Sequence, residues 1–315
     1  MSQWRHCFAP SVGSELLKGT AMSLGTGSNA WRMQSNNGQM ISWQREVDSA
    51  DSDEVTIDYY GGSAFRITSP RGITVLVDPW RNHPSRSWDW FFEDFPRTRV
   101  NIGLSTHAHF DHDALHRLDC DVAIERLVGT YMFADVCIHG IADKHAIDCS
   151  CGHYDYNRIL REINGVDIRP PNNPRSWDNS LIVVEVGGLR ILHWGDNRGD
   201  PPEAVWEAIG QVDIALLPVD DSRHVLGYGA VDGVIEKLDP TVVIPHHYYI
   251  WDVLQRHSTL LPPENWVSKQ SSVVRLNSPG RAYTPEELMQ MPRTVHYFGE
   301  HVNFDKEAWR RGELD

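Results

Sequence analysis

The sequence has no long hydrophobic run. No apolar stretch approaches the roughly 18 residues that a membrane-spanning helix needs, and residues 1–6 lack the basic segment that opens a secretory signal. We therefore expect neither a membrane protein nor a secreted one. A cytoplasmic location follows by default.

Positive charge is also scarce. Lysine and arginine number 29 against 43 acidic residues, which gives a formal net charge of −14. This disfavours a nucleic-acid backbone as a partner, because such binding relies on a basic surface. A local positive site could still hold a small anion.

Cysteine is infrequent and odd in number, at five residues. Cys149 and Cys151 are too close for an ordinary disulfide, so we expect reduced thiols. A soft-metal site at Cys149, Cys151 and His153 is an alternative, but it lacks the usual two-residue gap between thiolates.

What is present fits a soluble globular protein, with 41% hydrophobic and 23% charged residues over a length of 315. Residues 1–52 have little periodic apolar pattern and are predicted to be an N-terminal extension. Residues 53–315 are predicted to form the main domain, with a C-terminal extension after about residue 255.

From residue 55 the pattern is that of apolar strands separated by turn residues. The predicted strands cover 55–60, 64–68, 74–78, 100–104, 181–186, 189–193, 212–218 and 241–245. One helix is predicted after Pro202, and another is predicted from the i, i+3, i+4, i+7 spacing within 231–238. Hairpins followed by alternating helix and strand predict two sheets covered by helices.

The densest chemical feature is the segment His107-Ala-His109-Phe-Asp111-His112, directly after the predicted strand 100–104. Imidazole nitrogen and carboxylate oxygen suit zinc and other borderline divalent ions. A polar loop that happens to be rich in histidine is the alternative, since the chain has 16 histidines. Core histidines are usually solitary, so the cluster favours a metal site.

Three more strand ends carry polar side chains. Asp196 follows Gly195, where the chain can change direction and an acid can point into a cleft. His246 and His247 must point to opposite sides if extended, so only one can easily be a ligand. Asp78 could accept a hydrogen bond from a ligand histidine or hold a loop. Each alone is more typical of a cap or turn, but together they strengthen the metal prediction.

With these motifs the chain resembles the metallo-β-lactamase-fold hydrolases, over about residues 55–250. Within this family, the chain resembles the branch that is similar to ascorbate-6-phosphate lactonase. The resemblance rests on residues 107–112, 188–196 and 244–248. It implies an α/β (α+β) fold, a four-layer αββα sandwich with metals in a cleft at the strand ends. It also implies a first metal at His107 and His109, a second at Asp111, His112 and His247, and a bridging Asp196.

One departure from the family concerns the first metal. Relatives commonly supply a third histidine from a loop ahead of the strand that begins Asn179-Ser180, yet residues 170–178 contain none. Since a catalytic zinc typically has three protein ligands, we expect the first metal to bind more weakly than the second. Substitutes could come from Asn172, Asn173, His153 or His224.

Two other segments concern the surroundings of the site. Relatives often have Gly-His where this chain has Gly61-Gly62. The aromatic and basic segment 80–92 could form a pocket wall or an ordinary packed loop, and the sequence does not decide between them.

The chemistry implied by the resemblance is hydrolysis by a metal-bound hydroxide. One or two divalent ions, zinc or the harder manganese, lower the pKa of bound water toward about 7 and polarise the bond under attack. Asp111 would orient the hydroxide or act as the general base. The charge of two ions exceeds that of the ligand carboxylates, so an anionic substrate is natural.

We therefore predict a metal-dependent hydrolase for a small anionic ester, lactone or phosphodiester. The alternative is a non-catalytic or regulatory metal-binding member of the fold, which the missing histidine suggests. A nuclease is disfavoured by the charge balance. The expected partner is the small anionic substrate, with no nucleic acid and no membrane, and a homo-oligomer stays open.

Overall fold

Two β-sheets share one hydrophobic core in the computed structural model, which describes residues 29–35, 39–45, 53–83, 89–146, 178–222 and 225–314. In chain order the strands are β1 (Asn29–Ser35), β2 (Gln39–Arg45), β3 (Val55–Tyr59), β4 (Phe65–Thr68), β5 (Thr74–Val77), β6 (Thr98–Ser105), β7 (Leu118–Glu125), β8 (Gly129–Phe133), β9 (Val136–Lys144), β10 (Asp178–Val186), β11 (Leu189–His193), β12 (Ile214–Pro218), β13 (Val242–His246), β14 (Val273–Arg275), β15 (Gly280–Tyr283) and β16 (Thr294–Tyr297). The helices are α1 (Glu203–Ile209), α2 (Tyr228–Leu238), α3 (Glu264–Val267), α4 (Pro285–Gln290) and α5 (Lys306–Arg310), with a 3-10 helix over Leu115–Arg117.

The smaller sheet has the strand order β15-β3-β4-β5-β6-β7. Strands β3, β4 and β5 pair antiparallel as successive hairpins, and β15, from the C-terminal part of the chain, pairs antiparallel with β3. Strands β5, β6 and β7 pair parallel. The carboxyl ends of β5 and β6 therefore meet at one edge of this sheet.

The larger sheet has the order β1-β2-β8-β9-β10-β11-β12-β13-β16-β14. Strands β11, β12 and β13 are parallel neighbours, so their carboxyl ends lie together. Strands β9 and β11 are both antiparallel to β10 and therefore run in the same direction. The end of β9 consequently lies at the same edge as the ends of β11 to β13.

The two sheets face each other across the core. Phe65 of β4 contacts the rings of His193 and His246, which belong to β11 and β13, at centroid distances of 6.0 and 5.8 Å. Strands β12 and β13 are buried along their whole length, which explains their nearly continuous apolar sequence.

Helices pack on this sandwich through short apolar faces. Helix α2 buries Val231, Val234, Ile235 and Leu238, with the spacing predicted from the sequence. Helix α1 packs against β9. None of the described helices is long and apolar enough to cross a membrane.

The aromatic segment after β5 belongs to the core in its described residues. Trp80 is fully buried and stacks on Phe91 at a centroid distance of 4.1 Å. Trp309 of α5 packs edge-on against Trp80. These rings therefore join the C-terminal helix to the smaller sheet.

Both predicted extensions contribute strands. Strands β1 and β2 fall within residues 1–52 and add to the larger sheet beside β8. After residue 255, β14 and β16 join the larger sheet and β15 joins the smaller one.

Candidate metal centre

Asp78 fixes the start of the loop that carries the histidine cluster. It follows β5, whose parallel neighbour β6 leads into the loop. The carboxylate accepts hydrogen bonds from the backbone N–H of Thr106 at 2.7 Å and from its hydroxyl at 2.8 Å. Both residues are fully buried. The loop therefore leaves the strand in a defined direction.

Three histidines of the site are each oriented through Nδ1. Thr106 Oγ1 lies 3.0 Å from Nδ1 of His107. A carboxylate oxygen of Asp78 lies at the hydrogen-bond distance of 2.8 Å from Nδ1 of His112, and Asp220 Oδ2 faces Nδ1 of His247 at the ion-pair distance of 3.5 Å. Such partners leave Nε2 to face a ligand position, as in proteins that bind metals through histidine.

The first group of donor atoms consists of His107, His109 and His145, whose ligand atoms lie within 4.8 Å of one another. Their ring centroids are 4.5 to 5.0 Å apart. Three imidazoles with room for a further ligand are a donor set typical of catalytic zinc.

The second group consists of Asp111, His112, Asp196 and His247, all of them buried. Asp111 Oδ2 lies 3.3 Å from Nε2 of His247 and 3.5 Å from Nε2 of His112. Two carboxylates and two imidazoles form a mixed oxygen and nitrogen set that suits zinc, and its oxygens also suit manganese.

Asp196 lies between the two groups. Its Oδ1 is 3.4 Å from Nε2 of His112, and its Oδ2 is 3.4 Å from Nε2 of His145 and 3.5 Å from Nε2 of His247. A single carboxylate thus contacts donor atoms of both groups. This is the position that the sequence resemblance implied for a bridging ligand.

The spacing of the donor atoms fits a divalent ion. Two ligands at about 2.0 to 2.2 Å from a tetrahedral zinc lie roughly 3.3 to 3.6 Å apart. The contacts of Asp196 with His112, His145 and His247 fall in that interval. Within the described part of the chain, Nε2 of His107 and His112 and Oδ1 of Asp196 are buried without a hydrogen-bond partner. Leaving such groups unpaired costs free energy that an ion would offset.

His145 is the residue that the sequence analysis missed. It follows β9, whose register places Lys144 opposite Asp178 at the start of β10. His145 therefore lies one position beyond the start of β10, on the side of the loop ahead of Asn179-Ser180 from which relatives commonly supply their third histidine. Its backbone bridges to Asn197, next to Asp196.

Two histidines were expected in the first site from the sequence, and His145 supplies a third imidazole to that donor group. His145 follows the end of a strand as the other donors do, but the polar stretch Ala142-Asp143-Lys144 conceals that strand end in the sequence. The substitutes considered earlier, Asn172, Asn173, His153 and His224, lie outside the described residues, as do Cys149 and Cys151.

Two histidines of the first group, His107 and His109, are held neutral. Burial lowers the pKa of His107 well below its usual value, and the neighbouring charge of His112 lowers it further. Burial and the charge of His145 lower the pKa of His109 to about 3. Neutral imidazole is the form that coordinates metals, so these rings are ready to bind one at neutral pH.

The second group is an ion-paired cluster in the metal-free protein. Burial alone would raise the pKa of Asp111, but the charges and hydrogen bonds of His112 and His247 together outweigh burial and hold that pKa well below its usual range. Burial would lower the pKa of His247, but the carboxylate of Asp196, with support from Asp111, raises it to about 10. Asp111 is therefore ionised at neutral pH.

The adjacent histidines at the end of β13 separate as the alternation predicted. His247 enters the second donor group, whereas Nδ1 of His246 lies 3.1 Å from the hydroxyl of Ser63. The backbone carbonyl of Gly62 accepts the N–H of His247 at 2.8 Å. The segment in which relatives often have Gly-His thus supports the larger sheet through Gly62 and Ser63.

A family model described as a Beta-lactamase superfamily domain matches residues 56–247, more than half of the 315 residues. The chain belongs to this family. Both donor groups lie within the matched residues of this β-lactamase superfamily domain.

Individual relatives are distant. The chain is 26% identical over 208 residues to a protein of Methanosphaera stadtmanae named UPF0173 metal-dependent hydrolase, covering 61% of this chain and 83% of the relative. It is 27% identical over 208 residues to a protein of Pyrococcus horikoshii with the same family name, covering 62% and 86%.

A solved structure supports the fold. A protein of Thermotoga maritima, proposed to be a Zn-dependent hydrolase of the metallo-β-lactamase superfamily, superposes with a TM-score of 0.54 at 21% identity. The match covers 79% of this chain and all of that one. The predicted α/β (α+β) sandwich of the metallo-β-lactamase type is confirmed.

Proposed function

We propose that this chain is a metal-dependent hydrolase with two divalent ions, one held by His107, His109 and His145 and the other by Asp111, His112 and His247. The observation that carries the proposal is Asp196, which contacts donors of both groups at 3.4 to 3.5 Å. The names of the curated relatives support it. Zinc is the proposed ion, with manganese as the alternative.

A pair of divalent ions at these positions would supply a water of lowered pKa and a Lewis acid for the substrate oxygen. The protein's own contribution centres on Asp111, whose carboxylate is buried and ionised. Asp111 can orient the attacking water and accept its proton. Asp78 and Asp220 hold the rings of His112 and His247, which keeps the geometry around Asp111 fixed.

The proposed substrates are small anionic esters, lactones or phosphodiesters. The charge of two divalent ions would exceed that of the two ligand carboxylates, Asp111 and Asp196, so an anion could bind the ions directly inside a chain with a net charge of −14. A lactone of a sugar phosphate, as cleaved by ascorbate-6-phosphate lactonase, is one candidate of this kind. The regulatory alternative rested on a missing ligand, and His145 removes that argument.

The test is turnover of the three substrate classes by metal-loaded protein, with Asp111→Ala and Asp111→Asn beside the wild type. Loss of the general base should lower kcat by at least about 100-fold while the circular dichroism spectrum stays unchanged. Asp119→Ala is the matched control, because Asp119 is an exposed carboxylate on β7. Near-normal turnover by the Asp111 variants would refute the mechanism, and metal-loaded wild type that cleaves none of the classes would favour a regulatory role.

A further inference from the structure

A second mixed donor cluster lies near the start of β9, away from the centre described above. Cys137, His139 and Glu185 offer ligand atoms that all lie within 4.8 Å of one another. The register of β9 and β10 explains this, since Cys137 is directly opposite Glu185. His139 is two residues further along β9 and so projects from the same face.

Thr130 on β8 orients the imidazole of this cluster. It is directly opposite His139 in the β8–β9 ladder, and its Oγ1 lies 3.0 Å from Nδ1 of His139. With Nδ1 engaged, Nε2 faces the other donors. The thiol of Cys137 is 3.6 Å from this nitrogen, and Oε1 of Glu185 is 3.3 Å from it. Histidines that bind metals commonly have such a hydrogen-bond partner on the ring nitrogen that does not bind the ion.

These separations match a tetrahedral ion. With about 2.3 Å from zinc to sulfur and about 2.0 to 2.1 Å to nitrogen or oxygen, sulfur and nitrogen lie roughly 3.5 to 3.6 Å apart and nitrogen and oxygen roughly 3.3 to 3.4 Å apart. Thiolate, imidazole and carboxylate together favour a borderline or soft ion over magnesium or calcium.

We propose that Cys137, His139 and Glu185 form a separate binding site for one zinc-like divalent ion. The side chains of His139 and Glu185 are 21% and 13% exposed, whereas Cys137 is 2% exposed. An ion can therefore reach the site from solvent on the side of the imidazole and carboxylate. His139 and His145 are separated by six residues of one strand, so the two sites lie roughly 20 Å apart.

Arg190 is the competitor for this site. It pairs with Glu185 across the β10–β11 ladder, and its guanidinium contacts Oε1 of that carboxylate. An ion must share Glu185 with Arg190 or displace it. Arg190 also donates to the backbone carbonyls of Ile209 and Gln211, so it keeps partners if Glu185 turns toward an ion. If the ion pair prevails, the cluster is a purely structural cross-strand contact.

Cobalt binding separates these outcomes, because the main centre contains no cysteine. Titrating the full, metal-free chain with Co²⁺ should yield three bound equivalents and a near-ultraviolet thiolate-to-cobalt charge-transfer band. Cys137→Ser should lose the band and one equivalent and retain two. Cys120→Ser, on β7 of the smaller sheet, is the matched control and should keep the charge-transfer band and all three equivalents.

Two further variants keep the test decisive if Cys137→Ser does not fold or if the main centre binds no ions. His139→Gln changes a half-buried side chain and should also lose the third equivalent, which covers the case in which Cys137→Ser fails to fold. Asp196→Asn should lose ions of the main centre and keep the charge-transfer band. The band therefore reports on the Cys137 site even if the proposed function of the main centre is wrong. A wild type without the band, or a folded Cys137→Ser variant that retains it, would overturn the proposal.

Discussion

Oδ2 of Asp78 lies 2.8 Å from Nδ1 of His112, and the other oxygen of the same carboxylate accepts the backbone N–H of Thr106. One buried group therefore sets both the ring of a candidate ligand and the start of its loop. Asp78 itself has a φ of 56°, a conformation that non-glycine residues adopt where the surroundings enforce it. The placement of Asp78 is thus determined by the site that it supports.

Replacing Asp78 by Asn should weaken metal binding without unfolding the protein. The amide keeps the size of the side chain but loses the charge that orients His112, and loss of such a partner typically lowers metal affinity about 10- to 100-fold. Asp58→Asn is the control, since Asp58 is a buried carboxylate paired with Arg66 on the neighbouring strand. Competition titration against a chelator measures the effect, and equal affinities for the two variants would contradict it.

His145→Ala should reduce the metal content of the main centre from two ions to one. The variant leaves the first group with His107 and His109 plus a shared Asp196, fewer ligands than a catalytic zinc typically has. The second group keeps all of its donors. The variant is made in a Cys137→Ser background, which removes the other proposed site, and atomic emission then counts the ions bound at the main centre. His116→Ala, at an exposed histidine, should still hold two ions.

Gly195→Ala should destabilise the fold more than Gly72→Ala does. Both glycines have a positive φ, +56° and +81°, so each variant carries about 1 to 2 kcal/mol of left-handed strain. A Cβ at residue 195 would also lie 2.7 Å from side-chain atoms of Asn179 and Thr106, whereas no described heavy atom lies within 4 Å of one at residue 72. The difference should be about 1 to 3 kcal/mol, measured by urea denaturation. Equal losses would show that the loop relaxes freely.

His296 should make the stability of the protein depend on pH. Burial, with the nearby charge of Arg281, lowers the pKa of His296 to about 4, below the ordinary 6.5. Between these values the unfolded chain binds a proton that the folded chain does not. The unfolding free energy should therefore fall as the pH drops from 6.5 toward 4, by at most about 1.4 kcal/mol per pH unit for this group.

The measurement compares metal-free wild type with His296→Gln, so that titration of the ligand residues cancels in the difference. The variant should show the shallower slope between pH 4 and 6.5. Identical slopes would mean that His296 takes up its proton in the folded state as readily as in the unfolded one.

Much of the architecture could be predicted from local pattern. Strands β3 to β6 and β10 to β13 are apolar runs bounded by turn residues, and they appear within a few residues of the predicted bounds. The donors at their ends could be predicted for the same reason. Strand β7 was missed although its exposed and buried residues alternate, with Asp119 and Asp121 at exposed positions.

His145 could not be assigned in the same way, because its role depends on pairing between strands. Strand β9 ends in Ala142-Asp143-Lys144, a polar stretch that hides the end of the strand. Only the antiparallel register with β10 brings the next residue to the donor group. A family pattern that places a histidine by sequence position misses one that reaches the same point from the neighbouring strand.

The candidate ligands come from both sheets of the sandwich. The loop after β6 extends from the smaller sheet, whereas His145, Asp196 and His247 follow strands of the larger one. Ions bound between them would fasten chain segments that are far apart in sequence, and ligands that bind only the folded state stabilise it. A cell deprived of the ion would then be left with a loosened protein exposed to its proteases, so metal supply would govern the amount of this protein as well as its activity.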